Sequence, residues 1–234
     1  MKTIVVIPAF NEEDHIGHVI QDIRAVSPAW DIVVVDDAST DKTYEHARAS
    51  GVAVVRHVVN RGQGAALRTG TEWALLHGAD SIIHFDADGQ FSARELPGFI
   101  EPLEKGKETI VLGSRFLRVK TDQNNGDNSD ASKRIPWTKR VIILPVARLI
   151  NWYITGIKLS DAHNGLRAFT RDAALKIRIT QDRMAHNSNI VAEIKKHNLR
   201  FKEMPVTVYY HSYGQRAGAG FAILSDLFFG KLIK

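Results

Sequence analysis

The sequence predicts an α/β protein built on an open, mostly parallel sheet with helices on both faces. Three observations carry that expectation. Short apolar, β-branched runs recur at Thr3–Ile7, Ile32–Val35, Val52–Val55, Ser81–Phe85 and Thr109–Leu112, the pattern of strands covered on both sides. The segments between them repeat apolar residues at helical spacing, as Ile16, Val19, Ile20, Ile23 and Val26 do. At 234 residues and 44% hydrophobic, the chain can bury a full core in one large domain, which excludes global disorder.

Taken in order, the first strand is expected to stop at Pro8, leaving Pro8-Ala9-Phe10-Asn11-Glu12 as a strand-end loop. A helix then starts near Glu12 to Asp14, with acids on its positive end. The second strand runs into Asp36-Asp37-Ala38-Ser39-Thr40, where Ser39 or Thr40 suits the cap of a helix over Asp41–Ala49. After the third, Asn60-Arg61-Gly62-Gln63-Gly64 opens a helix to about Leu76. This stretch echoes a dinucleotide-binding glycine pattern, but it carries Leu67 at the third glycine position and does not follow the first strand, so that reading fails. The fourth strand delivers Asp86-Ala87-Asp88-Gly89-Gln90, ahead of a helical stretch at Phe91–Leu103, and the fifth ends at Gly113-Ser114-Arg115. Leu199–Tyr210 alternates in part around Pro205 and suggests an edge strand.

Ligands of such sheets bind at the carboxyl ends of strands. Here those ends carry Asn11 and Glu12, Asp36 and Asp37, Asp86 and Asp88, and Arg115. Asp86 and Asp88 are the sharpest signal. In extended backbone, positions i and i+2 point to one side, so the two carboxylates converge, and a pair that close calls for a cation between them. Oxygen ligands suit Mg2+ or Mn2+, and Gln90 adds a neutral oxygen at the next same-side position. Turn and helix-cap roles are the alternative for these residues, and for Asp36 and Asp37.

The formal charge of +5 conceals an asymmetry. Residues 1–114 hold 10 Lys+Arg and 17 Asp+Glu, and residues 115–234 hold 21 and 9, so the halves carry about −7 and +12. With apolar segments between the basic residues and no nucleic-acid motif, the basic half points to phosphate groups and a membrane surface. Thr121–Ser132 is almost wholly small and polar and reads as a mobile loop or a plain linker. Val141–Ile157 is apolar but broken by Pro145, Arg148 and Asn151, and Trp137, Trp152, Tyr153, Lys139 and Arg140 flank or enter it. That composition fits a helix lying in the membrane interface or a core helix, and Phe221–Ile233 repeats the theme. Ser212–Gly220 reads as another mobile basic loop. There is no cysteine, which removes disulfides and thiolate metal sites. The first strand follows Met1 almost at once, without a signal-peptide pattern, so a cytoplasmic location is expected.

Pro8-Ala9-Phe10-Asn11-Glu12, Asp36-Asp37-Ala38-Ser39, Asp86-Ala87-Asp88-Gly89-Gln90, Gly113-Ser114-Arg115 and Asp161-Ala162-His163-Asn164-Gly165-Leu166-Arg167 resemble, in order and spacing, the family 2 glycosyltransferases. The likeness is to the dolichyl-phosphate mannose synthase and polyprenyl-phosphate glycosyltransferase branch, over nearly the whole chain. It implies the nucleotide-sugar-binding GT-A fold in a single domain over 1–234, with a donor half at 1–115 and an acceptor, membrane-proximal half at 116–234.

By that resemblance Pro8, Ala9, Asn11, Glu12, Asp37 and Gly64 belong to the nucleotide-sugar pocket, as do Ala87 and Arg115. Asp86, Asp88 and Gln90 match the metal and diphosphate motif. Arg115 and Arg140 match phosphate-contacting residues, and Asp161, His163 and Arg167 lie on the acceptor side, so Asp88, Arg115, Arg140 and Asp161 are the expected catalytic set. The activity implied is metal-dependent, inverting transfer of a hexose from a GDP or UDP sugar to a polyprenyl phosphate, at the cytoplasmic face of the membrane. The alternatives are transfer to a hydroxyl with Asp161 as base, and a nucleotide-sugar binder without turnover. Two positions depart from the family pattern: Gly89 stands where a larger apolar residue is common, and Asn189 where an acid is common.

Overall fold

The computed structural model describes residues 1–117, 157–161 and 164–209. Seven strands, β1 (Thr3–Ala9), β2 (Asp31–Asp36), β3 (Ala53–Arg56), β4 (Ser81–His84), β5 (Ile110–Ser114), β6 (Arg167–Thr170) and β7 (Phe201–Pro205), form one sheet in the order β3-β2-β1-β4-β6-β5-β7. All pairings are parallel except those of β6, which runs antiparallel to β4 and β5. Helices α1 (Ile16–Val26), α2 (Thr43–Ala49), α3 (Gln63–Leu76), α4 (Leu96–Glu104), α5 (Arg171–Lys176) and α6 (His186–Lys196) cover it.

The period of two along each strand divides the core into two layers. Val5, Ile7, Val34, Ile83 and Val111 face α1 and α4, meeting Ile16, Ile20, Ile23, Leu96 and Phe99. Ile4, Val6, Val33, Ile82 and Leu112 face the other way, onto Leu67 and Ala74 of α3, Ala173 of α5 and Ile190 and Ile194 of α6. The expected helices on both faces are therefore present. So is the expected edge strand, since β7 closes one margin beside β5.

Four local expectations differ. β1 continues through Pro8 and Ala9, paired with β2 as far as Ala9↔Asp36. The Val6 carbonyl accepts from the Phe85 N–H on the β4 side, so Pro8, two residues on, points its ring nitrogen the same way. The β1–β4 ladder has already ended at Val6↔His84, and no hydrogen bond is lost there.

The helix α1 runs from Ile16 rather than from Glu12 to Asp14, although the Ile16 N–H already donates to the Glu12 carbonyl (2.9 Å). The Glu12 N–H donates to Thr43 Oγ1 (2.7 Å) and the Glu13 N–H to Asp41 Oδ2 (3.1 Å), which binds this segment to the next loop. Neither Ser39 nor Thr40 caps α2; Asp41 Oδ1 accepts the Thr43 N–H (3.0 Å), while Ser39 Oγ accepts the Asn11 N–H (3.0 Å). Strand β6 itself is unexpected, being four residues long and opening on Arg167.

Helix α3 comes close to the sheet at Gly70, where a Cβ would lie 2.2 Å from Val6 Cγ1. Val6 is fully buried in a central strand and has no room to retreat. We expect Gly70→Ala to destabilise the protein by about 1–3 kcal/mol through overpacking, measured by chemical denaturation. An unchanged midpoint would show that the α3–β1 contact is looser than this distance requires.

Candidate active site

The carboxyl ends of β1, β2, β4 and β5 open onto one cleft of about 620 Å3. Its walls include Pro8, Ala9 and Glu12 after β1, Asp37 after β2, and Asp86, Ala87, Asp88 and Gln90 after β4. Arg115 after β5 completes the set. The sequence reasoning thus brought together residues that the fold does place side by side.

Glu12, Asp86 and Asp88 feel one another. Burial first, and then the Asp88 charge, push the Glu12 carboxyl above its ordinary range. Asp86 is pushed up to about 6 by burial and then by Asp88, against the opposing pull of Arg167 and of the Gln63 hydrogen bond. Gln63 Nε2 donates to Asp86 Oδ1 at 2.7 Å, and Gly165 packs so closely that a Cβ there would sit 1.9 Å from Asp86 Oδ2. Asp86 is thereby fixed in place by α3 on one side and by bare backbone on the other. Beneath it lies Arg167, 3% exposed, pulled down to about 10 by burial while Asp86 and Asp161 hold it charged.

Among the described residues no three His, Asp or Glu side chains close a metal cage by themselves. The donor set suits a hard cation of the Mg2+ kind, which is commonly held by one or two carboxylates with phosphate oxygens completing the shell. The mutual repulsion of Glu12, Asp86 and Asp88 is the observation that favours such an ion here. Asn164, in the same wall, has a buried Nδ2 donor with no hydrogen-bond partner among the described residues.

Several expected site residues have other positions. Asn11 does not face the cleft: its backbone is left-handed (φ 56°) and its Oδ1 accepts from the Thr40 N–H (2.9 Å), tying the loops after β1 and β2 together. Gly64 is absent from the cleft wall, because it is pressed against the backbone of Gln181, whose carbonyl oxygen a Cβ would meet at 2.0 Å. Arg167 is too deep to touch an acceptor and bonds Asn187 Oδ1. Asp161 is buried and paired with Arg115. Its Oδ2 accepts from Arg115 Nε (2.7 Å) and Oδ1 from Arg115 Nη2 (2.9 Å), with its side chain 2% exposed.

Gln90 follows a turn at residues 87–89, with Gly89 left-handed (φ 68°), so it reaches the cleft by that turn and not by continued extension. The same left-handed turn explains glycine at position 89. Asn189 accepts from the Thr180 N–H (2.9 Å) and is absent from the cleft wall, so the departure there does not remove an acid from this cleft. Arg140 and His163 lie outside the described residues. The same holds for the loop at 121–132, the segment at 141–157 apart from Ile157, the stretch at 212–220 and the segment at 221–233.

The wall also holds residues that the sequence does not mark as site residues, Gln63, Gly165, Arg183 and Met184 among them. Gln63 and Gly165 sit inside stretches whose composition already drew notice, whereas nothing local marks Arg183. Asp37, expected to meet a nucleotide directly, also braces the wall. Its Oδ1 accepts from His57 Nδ1 (2.7 Å) and the Arg61 N–H (2.9 Å), and its Oδ2 from the Gly62 N–H (2.6 Å).

The acid-lined cleft lies at the carboxyl edge of the α/β sheet, where ligands of such sheets bind. Residues 4–178 match the family described as Glycosyl transferase family 2, and the chain belongs to that family and is a glycosyltransferase. It is 37% identical to the Methanocaldococcus jannaschii protein named "Uncharacterized protein MJ1222", over 99% of this chain and 93% of that one. It is 29% identical to the UDP-N-acetylglucosamine--dolichyl-phosphate N-acetylglucosaminyltransferase of Methanococcus voltae, covering 98% of this chain and 94% of the relative. The undecaprenyl-phosphate mannosyltransferase of Micrococcus luteus is 28% identical, covering 94% and 88%.

Among solved structures, glucosyl-3-phosphoglycerate synthase from Mycobacterium tuberculosis in complex with UDP superposes with a TM-score of 0.71 at 21% identity, over 97% of this chain and 77% of that one. Crystals of the same synthase with Mn2+, UDP and phosphoglyceric acid give 0.71 at 19% identity, over 99% and 77%. These likenesses establish the GT-A sheet expected above.

The raised Asp86 carboxyl has a consequence for folding. Because the folded chain disfavours its ionised form, the contribution of Asp86 to stability is complete below the ordinary carboxylate range and is lost as pH rises through about 6. In metal-free buffer Asp86→Asn should therefore gain stability relative to the parent between pH 4 and pH 7, read from denaturant midpoints. A difference that does not change with pH would refute the assignment of that shift to Asp86.

Proposed function

We infer that the chain transfers one hexose from a nucleoside-diphosphate sugar, of the GDP-mannose or UDP-glucose type, to a polyprenyl phosphate, with inversion at the anomeric carbon. The observation that carries this reading is the meeting of Glu12, Asp86 and Asp88 with Arg115 across one cleft. The named activities of the Methanococcus voltae and Micrococcus luteus relatives agree on a polyprenyl-phosphate acceptor while differing in the sugar.

Asp88, with Asp86 and Gln90, would hold Mg2+ or Mn2+, which when bound neutralises the charge developing on the departing diphosphate. Arg115 adds a fixed positive charge at the same place. Pro8, Ala9, Glu12, Asp37 and Ala87 line the space for the nucleotide and its sugar. In single displacement an oxygen of the acceptor attacks the anomeric carbon from one side, and the nucleoside diphosphate leaves from the other with the bonding electrons. A hydroxyl acceptor must also lose a proton and needs a base. A lipid phosphate arrives as an anion and needs cations to hold it. The bidentate commitment of Asp161 to Arg115 favours the phosphate, since Asp161 was the base a hydroxyl acceptor called for.

On this reading residues 1–115 serve the donor and residues 116–234, with their charge near +11, serve the acceptor and the membrane surface. Arg140 and His163 keep their expected acceptor-side roles. The reading puts the chain peripherally on the cytoplasmic face of the membrane; among the described residues no helix is long and apolar enough to cross one.

Incorporation of labelled sugar from GDP and UDP donors into polyprenyl phosphate, with Mn2+ or Mg2+ present, tests the proposal. Asp88→Ala should lower the rate at least about 100-fold with the fold retained, and chelation of the metal should do the same to the parent. Undiminished transfer by that variant would remove the metal assignment, and a soluble saccharide preferred over the lipid would remove the acceptor.

A further inference from the structure

Strand β7 at the sheet margin carries one acidic side chain whose hydrogen bonds all run inward. Glu203, half-buried and opposite Leu112 of β5, accepts at Oε1 from the Ser160 N–H (2.9 Å), the Ser160 hydroxyl (2.7 Å) and the Asp161 N–H (3.2 Å). Its Oε2 accepts again from the Ser160 N–H at 3.1 Å. The Ser160 hydroxyl also lies 2.5 Å from that of Ser114, the last residue of β5. Next in the chain is Asp161, which takes both Arg115 Nε (2.7 Å) and Nη2 (2.9 Å) on its carboxylate and the Arg115 N–H (3.1 Å) as well. Arg115 then stands in the cleft wall, 30% exposed.

The carboxylate is well matched to this task. Two successive backbone N–H groups and a hydroxyl converge on it, as on a helix cap, and an ionised acceptor makes each of these bonds stronger than a neutral one would. Such a clamp fixes the 160–161 backbone and with it the direction from which Asp161 grips the guanidinium. An arginine with several rotatable bonds, partly open to solvent, holds one orientation only if its partner is itself held.

We propose that Glu203 is a positioning residue for Arg115, acting through Ser160 and Asp161, so that the edge strand sets the aim of the cation used in sugar transfer. The geometric part stands on the hydrogen bonds alone; the catalytic part rests on the transferase reading given above. Two measurements on the full chain keep these apart.

The first reads Arg115 directly by nitrogen-detected NMR, with its Nε–H signal assigned by loss in Arg115→Lys. In the parent this proton, bonded to Asp161, exchanges slowly with water. In Glu203→Gln, which replaces an ionised acceptor by a neutral amide, exchange should quicken at least tenfold at an unchanged thermal midpoint, and in Ser160→Ala by a smaller factor. Unchanged exchange in a folded Glu203→Gln overturns the proposal whatever the activity.

The second is labelled sugar transfer to polyprenyl phosphate with Mn2+. Glu203→Gln should lower kcat about tenfold with the donor KM within twofold, and should cost less than twofold further in the Arg115→Lys background. Equal losses in both backgrounds would show that Glu203 acts on the fold and not through Arg115. If the parent transfers to no lipid acceptor, the transferase reading fails while the exchange measurement still judges Glu203.

Discussion

The Asp86 carboxylate stands where the two directions of the sheet meet. It follows β4, which runs with the parallel majority, and the positive charge beneath it comes from β6, which runs against them. The register pairs His84 with Arg167 directly, so both side chains leave the same face. Burial holds His84 well below the ordinary histidine range, with the Arg167 charge pushing the same way, so the imidazole is neutral and the arginine supplies the charge. A buried cation under a row of carboxylates lets them gather without unfolding the strand ends. Remove the antiparallel strand and the cleft acids lose their internal counter-charge.

Much of this was legible from the residues in order. Strands β1, β2, β4 and β5 are apolar and β-branched because both faces are covered, and that pattern needs no knowledge of partners. β6 was not legible, since Arg-Ala-Phe-Thr is short and polar at both ends, and its placement between β4 and β5 depends on pairing with distant chain. The convergence of the four strand ends follows from topology, which is why Glu12, Asp37, Asp88 and Arg115 are legible in the sequence.

Residues of one motif do not all share one surface. Asn11, Gly64, Asp161 and Arg167 all belong to the right stretches, yet each is turned toward another part of the protein: a neighbouring loop, a backbone, a guanidinium and a buried amide. Spacing along the chain reports proximity, while the partner that captures a side chain is a tertiary fact. Glu203 shows the converse, an edge-strand residue with no local signal whose partners lie 42 and 43 positions away.

The hydroxyls of Ser114 and Ser160 touch across 46 positions, and Arg115 and Asp161 repeat that closure one residue on. The polypeptide that departs after β5 therefore returns to its own point of departure, and the junction is sealed by side chains belonging to the two flanks. A loop closed at its base can lengthen at a small entropic cost, about 0.6 kcal/mol for each doubling. Such a neck ties the two flanks together by their own side chains, whatever the length of the chain between them.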